Sequence, residues 1–261
     1  MDILSVGEIV IDFLPGGPGV YIRKPGGAPA NVAVAMSRLG RGAAFCGCAG
    51  DDDFGRFLLD TLRQNGVLPL LKLTKEAITT MAFVSLNEYG ERSFTFARKP
   101  GADMYLTAAQ VEAADISRFG IVHAGSCSLS GGSAAEATVY ALKEAARQRK
   151  LVSFDVNYRD LLWDGDRAAA AKAVQSVLPY VDLLKVSDDE TDMVGGEEVL
   201  PLLRERYGIS AVVETLGRDG ARCFFDGKTL PCPGIPSDAV DTTGAGDAFS
   251  VSYTHLTLPT T

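Results

Sequence analysis

The chain has 261 residues, of which 46% are hydrophobic, so it can bury one large α/β core or two small ones. Its net charge of −8 and pI near 4.9 argue against broad binding to nucleic acid or anionic membranes, because both need a basic protein face. No apolar run approaches the roughly 18 to 20 residues that span a bilayer, and the start MDILSVGEIVIDF lacks the features of a signal peptide. We therefore expect a cytoplasmic protein that binds neither nucleic acid nor membranes.

The first part of the chain alternates between strand and helix. The apolar run ILSVGEIVIDFL predicts a buried strand, and GGPGVYIRK predicts a return strand in a short hairpin. A helical pattern covers residues 28–39 and ends at Gly40. The segment AAFCGCAG is typical of another strand, and residues 51–66 predict a helix that begins at an aspartate cap.

The middle of the chain departs from this alternation. The runs ITTMAFVSL and ERSFTFAR, joined by NEYG, predict a hairpin over residues 78–98. After it, the strand-like runs FGIVHAGS, LVSFDVNYR, VDLLKVS and ISAVVETLG alternate with predicted helices at 133–150, 167–178 and 196–206. This order predicts a doubly wound α/β sheet, which binds its ligands at the carboxyl ends of its strands.

Two common phosphate-binding motifs are absent from the sequence. The segment FFDGKTL lacks the first glycine of a P-loop, because Arg222 stands at that position. A dinucleotide fingerprint at Gly244 and Gly246 would need a small residue where the chain has Phe249. The sequence therefore disfavours a nicotinamide-dependent oxidoreductase.

The cysteines and histidines do not form a metal-binding pattern. The five cysteines are odd in number and lack the paired CxxC spacing of a zinc site, so we predict reduced and mostly buried thiols. His123 lies in the apolar run FGIVHAGS, which favours a strand residue over a ligand or a base.

The segment DTTGAGDAF at residues 241–249 combines small residues with a single carboxylate where a helix is predicted to begin. Backbone amides at such a terminus, together with the helix dipole, can bind an anion without any lysine. A plain helix cap with Asp247 in its first turn explains the spacing equally well when this segment is taken alone.

A second small-residue turn, GGAPAN at residues 26–31, also leads into a predicted helix. Together with GAGD it resembles the two signatures of the PfkB, or ribokinase-like, carbohydrate kinase family. SVGEIVIDF, RKPGAD, DVNYR, KVSDDE and ETLGRDG extend the resemblance in order along residues 3–251, and APANVAVA, PGADM and DVNYRDLLW are most similar to its fructokinase branch.

The resemblance implies a ribokinase-like three-layer α/β/α fold, with a mostly parallel central sheet and a small β lid. One kinase domain would cover residues 1–251, with lid segments at about 10–24 and 78–100. Lid closure over the sugar would exclude water, which otherwise competes as a phosphoryl acceptor. Lid strands have free edges, so the resemblance also implies a homodimer formed through the lid.

The resemblance further implies roles for individual residues in the transfer of a phosphoryl group from ATP to a sugar. Asp247 would be the catalytic base, and the backbone of the preceding turn would stabilise the transferring group, as amides can in phosphoryl transfer. The residues of this catalytic set are Gly244, Ala245, Gly246 and Asp247. The residues that would hold the sugar are Asp12, Gly27, Asn31, Arg98 and Arg159.

A separate set of residues is implied for the nucleotide and its ions. The residues beside ATP would be Thr215, Gly217, Gly220 and Glu190. Glu190 would also support Mg²⁺ through water, although Ser187 replaces the asparagine that the family has three residues earlier. Asp241 and Thr243 would lie at a monovalent cation site, with K⁺ as its expected ion.

The resemblance ends near residue 251 and leaves the decapeptide SYTHLTLPTT. Four threonines and Pro259 make this segment a poor helix continuation. We expect residues 252–261 to be a non-native tail on a C-terminally incomplete kinase domain, and little activity in such a chain.

The function most consistent with the sequence is ATP-dependent phosphorylation of a primary hydroxyl group, with fructose converted to fructose 6-phosphate. The near alternative is a kinase of the same family that acts on 2-keto-3-deoxygluconate or another sugar, because a few pocket residues decide the substrate. The alternative from a different class is a truncated chain that binds sugar without catalysis.

Overall fold

The computed structural model describes residues 1–86, 92–236 and 245–256. Its main element is a nine-stranded sheet in the order β13-β12-β11-β10-β9-β8-β1-β4-β5. The strands of this sheet are β1 Ile3–Val6, β4 Ala43–Gly50, β5 Leu68–Thr74, β8 Ile121–Gly125, β9 Leu151–Asp155, β10 Leu183–Ser187, β11 Ala211–Thr215, β12 Gly220–Phe225 and β13 Lys228–Pro233. All neighbouring pairs from β11 to β5 are parallel, and only β12 and β13 are antiparallel to their neighbours.

Helices cover both faces of the central sheet. They are α1 Ala28–Arg38, α2 Asp53–Gln64, α3 Ala108–Ala113, α4 Gly132–Arg147, α5 Arg167–Val177, α6 Leu203–Tyr207 and α7 Ala245–Leu256. Neighbouring residues of β1 enter opposite cores: Ile3 packs in one with α1 and α2, while Leu4 packs in the other with α4 and α5. A strand buried on both faces is what its continuous apolar run predicts, so the predicted three-layer fold is confirmed.

A second, four-stranded sheet forms the small β lid. Its strands are β2 Val10–Pro15, β3 Tyr21–Gly26, β6 Met81–Leu86 and β7 Arg92–Ala97, in the order β3-β2-β6-β7. Both predicted strand pairs are present, because β2 pairs antiparallel with β3 and β6 pairs antiparallel with β7. The predicted turn NEYG at 87–90 lies outside the described residues. Stacked Phe13 and Phe83, with ring centroids 4.9 Å apart, pack β2 against β6.

Short 3₁₀ helices connect several of these elements. They span Ala102–Tyr105, Ile116–Arg118, Ser126–Ser130, Asp160–Trp163, Leu178–Tyr180, Asp188–Val194, Glu197–Leu202 and Gly217–Asp219. The helix predicted over residues 196–206 is therefore only partly correct, because its first half is 3₁₀. Pro201 lies inside that half, and proline has no N–H to donate to an α-helical ladder.

The last helix extends farther than the sequence predicts. Residues 252–256 continue α7, although SYTHLTLPTT is poor in helix-favouring residues. The expectation that this segment cannot continue the helix is wrong for those five residues, and residues 257–261 lie outside the described part of the chain. That residues 252–261 are non-native stays a prediction.

Candidate active site

A cavity of about 460 Å³ lies between the carboxyl ends of the central strands and the lid, within the size range of small-molecule sites. Its lining brings together seven of the predicted site residues: Asp12, Gly27, Asn31, Arg98, Arg159, Gly246 and Asp247. Lid and sheet both contribute, since Asp12 belongs to β2 and Arg159 follows β9. The cavity therefore matches the position expected for a ligand site in a doubly wound sheet.

Asp247 and Asn31 join the first turns of two helices. The Asn31 side-chain amide donates a 2.8 Å hydrogen bond from Nδ2 to Asp247 Oδ2, linking α1 and α7 across 216 positions of sequence. Burial raises the pKa of Asp247 above its ordinary value, whereas the Asn31 hydrogen bond and the charges of Arg159 and Lys185 act in the opposite direction. A carboxylate with a raised pKa suits the acceptance of a proton.

Gly27 allows α1 to begin at the cavity. Its φ of 104° lies in the region that favours glycine, and a Cβ there would come within 2.5 Å of the Glu8 carbonyl oxygen. Its own carbonyl accepts the Asn31 backbone N–H at 2.9 Å. The glycine therefore fixes the position from which the Asn31 side chain reaches Asp247.

The predicted anion-binding turn is described only in part. Ala245 is the first residue of α7, and Gly246 is exposed at the cavity. Gly244, Asp241 and Thr243 lie outside the described residues. The predicted roles of these residues in anion and cation binding stay predictions.

A buried ion pair lies beneath α7. Lys185 Nζ, in the middle of β10, is 2.9 Å and 3.0 Å from the two carboxylate oxygens of Asp155, at the end of β9. The Ser250 hydroxyl donates to Asp155 Oδ2 at 2.9 Å and also lies 3.1 Å from the Gly246 carbonyl oxygen. These contacts tie the first turns of α7 to the central sheet. The sequence analysis did not single out any of the three side chains.

Asp12 enters the cavity from the lid. A Cβ on Gly26, in the neighbouring strand, would clash with Asp12 Oδ2, so a side chain there would displace the Asp12 carboxylate. Burial, together with the charge of Asp247, raises the pKa of Asp12 to about 6, and the charge of Arg159 acts in the opposite direction. Arg159 is exposed, lines the cavity, and lowers the pKa of both Asp12 and Asp247 by its charge.

Arg98 lines the cavity, but its guanidinium is already engaged. Its Nε donates to Asp103 Oδ2 at 2.8 Å, and its NH1 donates to Ser130 Oγ at 2.7 Å. Its NH2 lies 2.7 Å from Asp103 Oδ2 and donates to the Cys127 carbonyl at 3.3 Å. Asp103 also accepts a short hydrogen bond from Thr80. This geometry favours Arg98 as a support of the cavity wall.

The residues predicted for the nucleotide lie together, away from the cavity lining. Thr215 ends β11 opposite Ser187 at the end of β10, and Gly217 and Gly220 have φ of 55° and 107°. Glu190 accepts backbone hydrogen bonds on both carboxylate oxygens, from Tyr158 N–H at 2.6 Å and from Ser187 N–H at 2.9 Å.

Within the described residues, no three His, Cys, Asp or Glu side chains cluster as a metal site would require. That Glu190 supports Mg²⁺ through a water molecule stays a prediction. His123 is buried and hydrogen-bonded to Ser153 at 3.0 Å, and burial lowers its pKa to about 4, so it is neutral at pH 7. Among the described residues, no helix is long and apolar enough to cross a bilayer.

Glu8 is a charged cavity residue that the sequence analysis did not predict. Glu8 stands in the apolar run SVGEIVID, where a carboxylate looks like a strand residue beside a turn. In the structure it is only 6% exposed and lines the cavity with Asp12 and Asp247. The sequence did contain a signal for Glu8, namely a charged residue inside an apolar run. Burying a charge costs free energy unless the group is paired or has a function.

Comparisons with known proteins agree with this geometry. The pattern described as "pfkB family carbohydrate kinase" matches residues 2–256. Fructokinase-2 of Oryza sativa subsp. japonica is 42% identical, over 95% of this chain and 77% of that protein. Fructokinase-1 of Zea mays is 39% identical, over 95% of this chain and 80% of that protein.

Solved structures give the same result. The fructokinase of Xylella fastidiosa with bound ATP superposes with a TM-score of 0.89 at 31% identity, covering 97% of this chain and 81% of that one. A double mutant of fructokinase from Vibrio cholerae O395, with fructose, ADP and potassium ion bound, has a TM-score of 0.85 at 33% identity, over 95% and 80% of the two chains.

The three-layer sheet, the β lid and the carboxylate in the first turn of α7 define a small-molecule kinase of the α/β class. Seven of the predicted site residues line one cavity at the carboxyl ends of the strands, where open α/β sheets bind their ligands. The chain belongs to the pfkB family of carbohydrate kinases. The family match includes residues 252–256, which the resemblance seen in the sequence did not cover.

Proposed function

We propose that the protein is an ATP-dependent fructokinase that phosphorylates a primary hydroxyl group of fructose. The observation that carries this proposal is the 2.8 Å contact between Asn31 and Asp247 within the cavity. It places an oriented carboxylate in the cavity between the lid and the sheet. Burial raises the pKa of this carboxylate. The fructokinases named above, at 39% and 42% identity, support fructose as the substrate.

In this proposal Asp247 accepts the proton of the attacking hydroxyl group. The hydroxyl oxygen forms a bond to the γ-phosphorus as the bond to the ADP oxygen breaks, so one proton and one phosphoryl group are transferred. The amides of the first turn of α7 and the Arg159 cation stabilise the charge that spreads over the phosphoryl oxygens. Asp12 accepts hydrogen bonds from other sugar hydroxyls, and Gly27 and Asn31 form the adjoining wall.

The nucleotide is proposed to lie over the carboxyl ends of β10 and β11, beside Thr215, Gly217 and Gly220. When bound, Mg²⁺ would neutralise phosphate charge. Glu190, whose oxygens are already held by two backbone amides, would orient one of its water ligands. A K⁺ requirement through Asp241 and Thr243 stays part of the proposal and is tested by replacing K⁺ with Na⁺ in the assay.

A homodimer formed through the lid is also proposed. Strand β3 is at an edge of the lid sheet, and its Tyr21 and Ile22 side chains are 49% and 47% exposed. An exposed apolar strand edge favours pairing with another chain. Light scattering should give twice the monomer mass, and Ile22→Lys should shift the protein towards monomer.

A sugar panel tests the substrate. ADP release with MgATP is measured for fructose, 2-keto-3-deoxygluconate and ribose, with calorimetric titration of each sugar in parallel. The proposal expects fructose to give the highest kcat/KM. A preference for 2-keto-3-deoxygluconate would contradict fructose as substrate within the same family. Sugar binding without sugar-dependent ADP release would instead favour the non-catalytic alternative.

A further inference from the structure

Glu8 is a cavity residue with one carboxylate oxygen that is hydrogen-bonded within the described part of the chain and one that is not. It lies between β1 and β2, is 6% exposed, and lines the same cavity as Asp12 and Asp247. Its Oε1 accepts the backbone N–H of Ala28, the first residue of α1, at 3.3 Å. Its Oε2 is buried and has no hydrogen-bond partner among the described residues.

An unpartnered buried carboxylate oxygen needs an explanation, because buried polar atoms in proteins are almost always hydrogen-bonded. Arg98 is a candidate partner, because its charge lowers the pKa of Glu8. Arg98, however, directs its three nitrogens to Asp103, Ser130 and the Cys127 carbonyl. Among the residues that the structure describes, none is left to bond Glu8 Oε2, which leaves this oxygen available to a molecule bound in the cavity that Glu8 lines.

The protonation of Glu8 suits a hydroxyl partner. Burial is the main cause that raises the pKa of Glu8 to about 7. The charge of Asp103 acts in the same direction, and the charge of Arg98 acts against it. Near neutral pH the carboxyl group can therefore be a donor or an acceptor. A sugar hydroxyl can likewise donate or accept, whereas a phosphate group at neutral pH offers mainly acceptors.

We propose that Glu8 is a substrate-binding residue that determines specificity, its Oε2 forming a hydrogen bond with one hydroxyl group of the sugar. This inference rests on the proposed function, since it concerns the same cavity. It adds a contact to the sugar side that neither the early motifs nor the resemblance assigns. Glu8, held by the first amide of α1, and Asn31, one turn farther along that helix, would then contact the same ligand.

The test compares wild type, Glu8→Gln and Glu8→Ala on fructose and its monodeoxy analogues. Glutamine keeps the size and one acceptor, while alanine removes every polar atom. We expect Glu8→Ala to raise KM for fructose about tenfold or more, and Glu8→Gln to raise it less. One deoxy analogue, lacking the hydroxyl that Glu8 contacts, should have the same KM with wild type and Glu8→Ala. Glu112→Gln, on the exposed face of α3, is the matched control and should leave KM unchanged.

Two results would overturn the inference. A KM for fructose within twofold of wild type in folded Glu8→Ala and Glu8→Gln would mean that Oε2 binds water only. An equal KM increase for fructose and every deoxy analogue would indicate a structural role for Glu8. Either result leaves the proposed function intact if wild type phosphorylates fructose, whereas the absence of fructose-dependent turnover by wild type would contradict both proposals.

Discussion

Three carboxylates that line the cavity differ in their partners from two buried carboxylates outside its lining. Asp12, Asp247 and Glu8 all have a pKa raised mainly by burial. Asp155 is as buried as Glu8 but receives both a lysine and a serine hydroxyl. Glu190 is buried too and receives two backbone amides.

The difference indicates what each region does. A carboxylate whose hydrogen bonds are complete stabilises the fold around it, because nothing further is required of its oxygens. A carboxylate left partly unpartnered in a cavity costs stability and is explained by a ligand. Asp155 therefore ties α7 to the central sheet. Glu8, Asp12 and Asp247 are the carboxylates that the proposals above assign to the substrate.

The largest expected effect comes from removing Asp247. Asp247→Ala should lower kcat by about 10²- to 10⁴-fold, the range for loss of a general base, with a small change in KM for fructose. Steady-state ADP release measures both constants. Asp53→Ala is the matched control, because Asp53 also lies in the first turn of a helix but is exposed on α2. A kcat within tenfold of wild type would remove Asp247 from the chemical step.

Breaking the buried ion pair should mainly reduce stability. Lys185→Met leaves the buried Asp155 carboxylate without its cation, and such a loss costs about 3 to 5 kcal/mol of unfolding free energy. Urea denaturation measures this change. Arg147→Met removes one partner of the exposed pair with Glu144 and should cost less than about 1 kcal/mol. Equal costs for the two variants would contradict a structural role for the buried pair of Lys185 and Asp155.

The main features of the fold could be predicted from the sequence because they depend on local patterns. Apolar runs of strand length and the Asp52 cap of α2, which accepts the Gly55 N–H at 2.8 Å, are short-range signals. Helix α3 was missed although it has a capping box of Thr107 and Gln110. That T-x-x-Q spacing was available in the sequence.

The candidate site could be predicted as a set of positions but not as a network. The motifs indicated Asn31 and Asp247, yet their contact depends on how α1 packs against α7. Arg98 was predicted as a sugar contact, and its engagement by Asp103 appears only in three dimensions. Glu8 could not be recognised as unpartnered, because that depends on where Arg98 directs its nitrogens.

The pH dependence of stability should distinguish Glu8 from a fully partnered carboxylate. Because the folded-state pKa is raised from 4.5 to about 7, the unfolding free energy should fall as pH rises through that window and level off above it. Glu8→Gln should therefore gain stability relative to wild type between pH 4.5 and 7, by up to a few kcal/mol. Urea denaturation at pH 5 and pH 8 measures the gain, and an equal difference at both values would contradict it.

A smaller effect is expected for sugar binding to Asp12. As its pKa is raised to about 6, the ionised acceptor is lost as pH falls below that value. The Kd for fructose should rise by up to about tenfold between pH 7 and pH 5. Calorimetry with Asp12→Asn should show weaker binding that no longer changes with pH in this way. A wild-type Kd that stays constant over the same range would contradict a role for the Asp12 carboxylate.

The position of the new phosphate tests the central claim most directly. Wild type is incubated with fructose and MgATP, and the product is identified by ³¹P NMR alongside the Asp247→Ala reaction. The account predicts fructose 6-phosphate from wild type and almost none from the variant. Phosphate at another hydroxyl group, or ADP release that does not depend on fructose, would contradict it.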